Sequence, residues 1–297
     1  MPPTTRVHAA LIAVSLLFGA NYVFTKQILE AGIPARAWVF FRIGAATVFL
    51  VPLAFALGRG RLPWRRVPML VVASFLGVVL NQVLFTEGMA LTTAEHSAVI
   101  NACIPTWTLI VAVLCRQEKL TLPKVGSIVL ALLGVQYLLG FDQILAAGKP
   151  LDRNQLIGDL LTVANGISFA GHLVLMRRIG GGIDSWHATA AMFVAASLMT
   201  GAWSGPTLTA ADWQLVVTPP VVWFGLYGVL LATVLTYSLN TWALRHVRSS
   251  QVALYINLQP LVAAGLAMAM GQPVPGVRFA VAMALVFAAL WLRSRSA

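Results

Sequence analysis

The chain has 297 residues, of which 59% are hydrophobic and only 10% charged, and its mean hydropathy is +0.84. That balance excludes an ordinary soluble domain and points to an integral membrane protein. A net charge of +11 does not indicate nucleic acid here, because the basic residues lie in short stretches between apolar runs, where cytoplasmic loops concentrate Lys and Arg.

Apolar runs of the length that spans a ~30 Å hydrocarbon layer as helix recur along the chain. They predict ten transmembrane helices, at 7–28, 34–57, 67–90, 94–115 and 122–140, then 155–176, 185–203, 219–243, 249–270 and 277–293. The fold class is therefore an all-α integral membrane protein, since barrel strands would alternate every second residue over about ten positions. The first run continues through GANYVFTKQ with no small-residue cleavage site, so it is expected to be a retained helix and not a signal peptide.

The second span carries Arg42, an intramembrane charge that needs a partner or a polar cavity. The third carries Asn81, Gln82 and, nearer its outer end, Glu87, and an Arg42–Glu87 pair is expected to fix the outer ends of these two helices, with Arg42 also a candidate contact for an anionic substrate group. The fourth contains Asn101, Pro105, Trp107 and Thr108. Its two cysteines, Cys103 and Cys115, lie roughly 18 Å apart along a helix, beyond disulfide reach. Gly126, Leu130 and Gly134 mark a small-residue face of the fifth span.

A stretch rich in turn formers, FDQILAAGKPLDRN, joins the two halves. The sixth span then aligns Asn165, Phe169, His172 and Met176 on one face, as the first aligns Val14, Phe18, Asn21 and Thr25, at an offset of 151. The eighth adds Thr233, Thr236 or Tyr237, and Asn240, and the ninth Gln259 and Pro260. Ridges at Ala263, Ala267 and Gly271 and at Ala280, Ala284 and Ala288 permit close helix contact. Whether the fifth and tenth helices meet each other or a second copy in a homodimer stays open at this point.

Pro105 and Pro260 are 155 positions apart and each lies about eleven residues into its span, so two kinks are expected near the midplane, freeing the carbonyls of Asn101 and Ile256. Five spans precede the joint and five follow, so the second half enters from the other face. This gives two inverted-topology five-helix repeats, 1–141 and 155–297, with 142–154 as a periplasmic linker. With both termini cytoplasmic, fourteen of the twenty basic residues fall inside, from Arg6 and the group Arg59, Arg61, Arg65 and Arg66 to Arg293 and Arg295. Lys26, Arg36, Lys149, Arg153 and Arg278 fall outside.

The phrases LLFGANYVFTK, FFRIGAA, EGMALTTAEHSAVINACIPTWT and RQEKLTLPKVGSIVLALLGV resemble the EamA-type transporters of the drug/metabolite transporter superfamily. The second half departs from the pattern at GQPVPGVRFA, where Pro273 stands in place of the acidic residue matching Glu118. The resemblance implies export of a small metabolite across the inner membrane.

From the residues themselves, the expected substrate-lining set is Asn21, Asn81, Gln82, Asn101, Trp107, His172, Tyr237, Asn240 and Gln259, with Arg42, Glu87, Pro105 and Pro260 in structural or gating roles. Amides suit a zwitterion because each offers a donor and an acceptor. No Walker loop, zinc pair or nucleophile turn is present, so no cofactor, metal or enzymatic activity is expected. The leading reading is a secondary transporter in the lipid bilayer exporting a small polar metabolite, such as an amino acid, by alternating access. The rivals are an exporter of larger apolar or cationic drugs and, from a different class, a membrane enzyme or channel-like scaffold.

Overall fold

A computed structural model describes residues 3–60, 62–139, 152–179, 183–271 and 276–294. Most of the joining stretch 142–154 lies outside the described residues. Among them the chain is helical, with no strand. Lipid offers the backbone no hydrogen-bond partner, so long apolar runs close their bonds internally as helix.

The first half contains α1 (Pro3–Glu30), α2 (Ala35–Leu57), α3 (Trp64–Leu91), α4 in two pieces (Ala94–Asn101 and Ile104–Leu114) and α5 (Leu122–Leu139). The second contains α6 (Arg153–Ile179), α7 (Ser185–Ser204), α8 (Val221–Ala243), α9 in two pieces (Ser249–Leu254 and Gln259–Ala269) and α10 (Val277–Ser294). A short helix, Ala210–Val216, sits between α7 and α8. Seven of these segments are long and apolar enough to cross a membrane, namely α1, α2, α3, α4, α6, α8 and α9. Within α5 and α10 the apolar stretches are shorter, and α7, interspersed with Ser, Thr, His and Trp, falls outside both sets.

Helix ends are capped where the chain leaves the apolar layer. The Thr93 side chain accepts from His96 N at the start of α4, and Asp184 accepts from Trp186 N and His187 N at the start of α7. Thr209 and Asp212 form a reciprocal capping box on the short helix.

Packing interlocks the halves. The first helix of each half is clasped by the third and fourth of the other, α1 by α8 and α9, and α6 by α3 and α4, while α2 pairs with α7 and α5 with α10. On α2 the buried seam runs Trp38, Arg42, Ala46, Leu50 and Ala54 at i, i+4 spacing, and Phe55 on the opposite side is 82% exposed. Large apolar side chains facing outward are what a lipid-facing surface requires. Where α3 crosses α6 the backbones touch: a Cβ on Gly88 would lie 2.9 Å from Gly158 O, and one on Gly158 2.8 Å from Gly88 O.

Within one chain α5 and α10 meet each other, with Gly126 facing Leu292 and Gly134 facing Ala282 O. The ridge read on the tenth helix is corrected, however. Ala280, Ala284 and Ala288 are exposed, and the packed face is Ala282, Met283, Val286 and Ala289, two residues out of that register.

Two departures from regular helix occur in each half, at matching places. The third helix of each half contains a π segment, Phe75–Leu80 in α3 and Tyr227–Leu235 in α8. The fourth helix of each half is broken, at Ala102 and Cys103 in α4 and through the 3₁₀ turn Tyr255–Leu258 in α9. The proline expectation is corrected here. Pro105 and Pro260 do not kink a continuous helix but occupy the first turn of its second piece, where a missing N–H costs nothing.

Candidate functional site

The helices that carry the π segments and breaks meet at one cavity of about 60 Å³. Its wall is built from α1 (Phe18, Asn21, Tyr22), α2 (Arg42), α3 (Asn81, Gln82, Phe85), α4 (Asn101, Ile104), α6 (Asn165, Phe169), α8 (Tyr237) and α9 (Ile256, Gln259). A π turn widens the helix and leaves carbonyls for outside donors. On α3 these are taken by side chains of the other half: Ser168 Oγ donates to Leu76 O (2.7 Å), His172 Nδ1 to Ala73 O (2.9 Å), Asn165 Nδ2 to Asn81 O (2.7 Å) and Tyr237 Oη to Gly77 O (2.8 Å). On α8, Thr233 Oγ1 donates to Gly228 O at 2.6 Å, and Arg42 Nη2 reaches Ala232 O at 3.0 Å.

Of the nine residues expected to line a site, six meet in this cavity: Asn21, Asn81, Gln82, Asn101, Tyr237 and Gln259. Tyr22 Oη donates to Gln259 Oε1 at 3.2 Å, and Gln82 Nε2 to Tyr237 Oη at 3.5 Å. Asn21 Oδ1 and Asn101 Oδ1 are buried without a partner.

The other three sit elsewhere. Asn240 lines a smaller adjoining pocket, which shares Phe18, Phe169, Ile256 and Gln259 with the cavity and continues toward the start of α1 at Ser15, Val14 and Leu11. His172 is corrected to a packing role: it is spent on Ala73 O and presses on Gly77, where an added Cβ would lie 2.1 Å from its ring. Trp107 packs in the cluster formed with α5 and α10.

The expected Arg42–Glu87 pair does not form. Arg42, only 1% exposed, donates from Nε to Thr233 Oγ1 at 2.7 Å and from Nη2 to Ala232 O. The π turn of α8 offers these acceptors at the level of Arg42, whereas Glu87 lies further along α3, half-buried, with Arg36 as the cation whose field reaches it.

Two end networks escaped the sequence reading. Lys26 Nζ caps the end of α3 through Met89 O (3.1 Å) and Thr92 O (2.8 Å). Thr92 Oγ1 donates to Asp159 Oδ1 (2.5 Å), and the other carboxylate oxygen of Asp159 lies 3.1 Å from His96 Nδ1. At the far end of α6, roughly 27 Å away by helical rise, Arg177 Nη1 caps the end of α8 through Leu244 O at 2.9 Å. Lys26 and Arg177 are again 151 positions apart, which was the available signal.

A family model of the EamA-like transporter family matches twice, over residues 5–140 and 156–295. The chain belongs to the EamA-like transporter family. It is a multi-pass membrane protein built on that family's two-repeat architecture. A WAT1-related protein of Arabidopsis thaliana is 31% identical over 38% of this chain and 33% of its own length. Another from the same plant is 24% identical over 75% of this chain and 61% of its own. The EamA-like chain thus aligns with only about a third of the first of these relatives. A crystal structure of another protein superposes with a TM-score of 0.67 over 99% of this chain and 98% of that one, at 16% identity, a likeness of fold.

Proposed function

We propose that this EamA-like protein is a secondary transporter that exports a small polar metabolite across the inner membrane by alternating access. In this reading all ten helices cross, the repeats 1–141 and 155–297 run in opposite senses around the linker 142–154, and both termini are cytoplasmic. The observation that carries it is the polar cavity where the irregular helices of both halves meet, enclosed by Phe18, Phe85 and Phe169. Irregular backbone at membrane depth is tolerated where neighbouring side chains or a polar space satisfy it, and rocking of one repeat against the other around a fixed site is the motion this arrangement supports.

The two cationic caps support the same reading. Lys26 and Arg177 each fasten the first helix of one half to the third, one in its own half and one likewise in the other, at opposite ends of α6. Releasing one cap while the other holds opens one face at a time.

A cavity of about 60 Å³ favours small solutes over bulky drugs. Its wall holds no carboxylate, histidine, cysteine or serine, so it offers no nucleophile with a base for an enzymatic step. Protein reconstituted in liposomes and preloaded with radiolabelled amino acids is expected to release them saturably and chemically unchanged. Conversion of the solute, or conductance that does not saturate, rejects the transport reading.

A further inference from the structure

We propose that Arg42 is the carboxylate anchor of the site, so that the transported solute is a small carboxylic or amino acid that crosses with its carboxylate ionised. This rests on the transport reading above and narrows it to a substrate class.

The guanidinium is buried in the cavity wall, and its two hydrogen bonds go to neutral acceptors, Thr233 Oγ1 and Ala232 O. Three of its five N–H protons are left without a protein partner among the described residues. No Asp or Glu lines the cavity. A buried cation held only by neutral groups is costly, and a carboxylate entering beside it supplies the missing charge with bidentate geometry.

The chain contains its own control for a purely architectural role. At the offset of 151 that relates Asn21 to His172 and Gly77 to Gly228, the counterpart of Arg42 is Phe193. Phe193 is fully buried and packs edge-on to Tyr237 at 5.1 Å. The same place in the other half is thus filled by an apolar ring, so the interlocked fold does not itself demand a cation there.

A second, independent feature points to the rest of the ligand. Asn21 and Asn101, 3% and 2% exposed, belong to the same wall, and each holds a buried amide oxygen without a hydrogen-bond partner, beside Gly228 and Gly166 respectively. An N–H donor on a solute that parts these wall contacts satisfies them, and an α-amino acid carries both that donor and the carboxylate. At about 10–15 Å³ per water, the free volume corresponds to about five waters, the scale of a small metabolite.

The test uses the full chain in liposomes preloaded with L-alanine and L-leucine together with L-alaninamide and L-leucinamide, release being measured by mass spectrometry against protein-free vesicles. The acids are expected to leave at least about 10-fold faster than their amides. Arg42→Phe, which copies the other half, is expected to remain monodisperse and lose about 100-fold of acid release, with Arg42→Lys in between. Saturable release of acids and amides at equal rates, or wild-type acid release by Arg42→Phe, overturns the anchor while leaving transport standing. Absence of saturable release of any of the four solutes removes the transport reading and the anchor with it. Should Arg42→Phe misfold, the acid-to-amide ratio of the unaltered protein decides.

Discussion

A methyl group added at Gly77 probes the fit between the halves. The new Cβ would lie 2.1 Å from Cγ and Nδ1 of His172 and 2.7 Å from its Cβ, whereas ordinary contact begins near 3.4 Å. His172 must therefore retreat by more than an ångström, and its 2.9 Å bond to Ala73 O, one turn away on the same helix, is lost. Overpacking of this kind costs about 1–3 kcal/mol and the hydrogen bond about 1 kcal/mol, so Gly77→Ala should destabilise by about 2–4 kcal/mol. His172→Ala alone should cost about 2 kcal/mol through lost packing and the abandoned carbonyl. In the double variant the methyl enters the space the imidazole vacated, so the pair should cost about 2 kcal/mol less than the sum of the singles. Gly171→Ala is the control: its Cβ would meet only Leu76 Cδ1, at 3.6 Å, and the change should stay within about 0.5 kcal/mol. Unfolding in mixed micelles against rising SDS measures all four. Strict additivity of Gly77→Ala and His172→Ala would refute the account of how α3 seats on α6.

Phe169→Ala should widen the passage between the main cavity and the pocket at Asn240, raising uncoupled solute leak from preloaded liposomes, and unchanged leak would remove Phe169 from the barrier. Lys26→Met removes both bonds to the end of α3; labelling of Asn21→Cys by a maleimide, in a Cys115→Ser background because Cys115 is exposed, should then rise roughly 5-fold. Burial raises the Asp184 carboxyl, but hydrogen bonds from the His187 side chain and from the backbone of His187, Arg59 and Trp186 outweigh it and hold the group below its ordinary 3.8. Its stabilisation is therefore complete above that ordinary value and is lost as pH falls through the depressed folded one. Asp184→Asn should cost about 1 kcal/mol at neutral pH, and its thermal midpoint should converge on that of the unaltered protein below about pH 3; a pH-independent gap would count against this capping account.

Much of the architecture was legible because the apolar runs, the offset of 151 and the two prolines are properties of sequence alone. The offset brought Asn21 and His172 onto equivalent faces, and the structure gives both the same neighbour type, the π-segment glycines Gly228 and Gly77. What differs between them is chemical. His172 is long enough to reach Ala73 O, whereas Asn21 keeps an unpartnered oxygen and lines the cavity, so equivalent positions part into a packing residue and a lining one. The π segments were not legible, since FLGVVL and YGVLLATVL are ordinary apolar runs whose irregularity is set by donors on other helices. That is also why Arg42 was assigned the wrong partner: its acceptors are a backbone carbonyl and a threonine exposed by a π turn that only tertiary packing creates. The Asp159–His96–Thr92 cluster joins residues over 60 positions apart, and no local spacing announces it.

The distribution of these bonds also bears on how the halves move. α6 is fastened to α3 by Asn165, Ser168 and His172, three side-chain donors on backbone carbonyls. Their counterparts on α1 at the same offset are Val14, Leu17 and Asn21, and the hydrogen bond between α1 and α8 runs the other way, from Tyr227 Oη to Leu17 O at 2.9 Å. At about 0.6 kcal/mol for such a bond in a membrane, two bonds fewer amount to only about 1 kcal/mol. In the proposed alternating-access cycle an imbalance of that size is small enough for thermal exchange between two closures, since states within a few kcal/mol of each other both stay populated. It is also directional, because the less fastened contact, α1 on α8, is the one beside Asn21 and Arg42. Of the groups that hold α6 in place, Ser168 and His172 lie behind the cavity wall, whereas Asn21 and Arg42, beside the less fastened α1, line it and are the ones the proposed solute would meet.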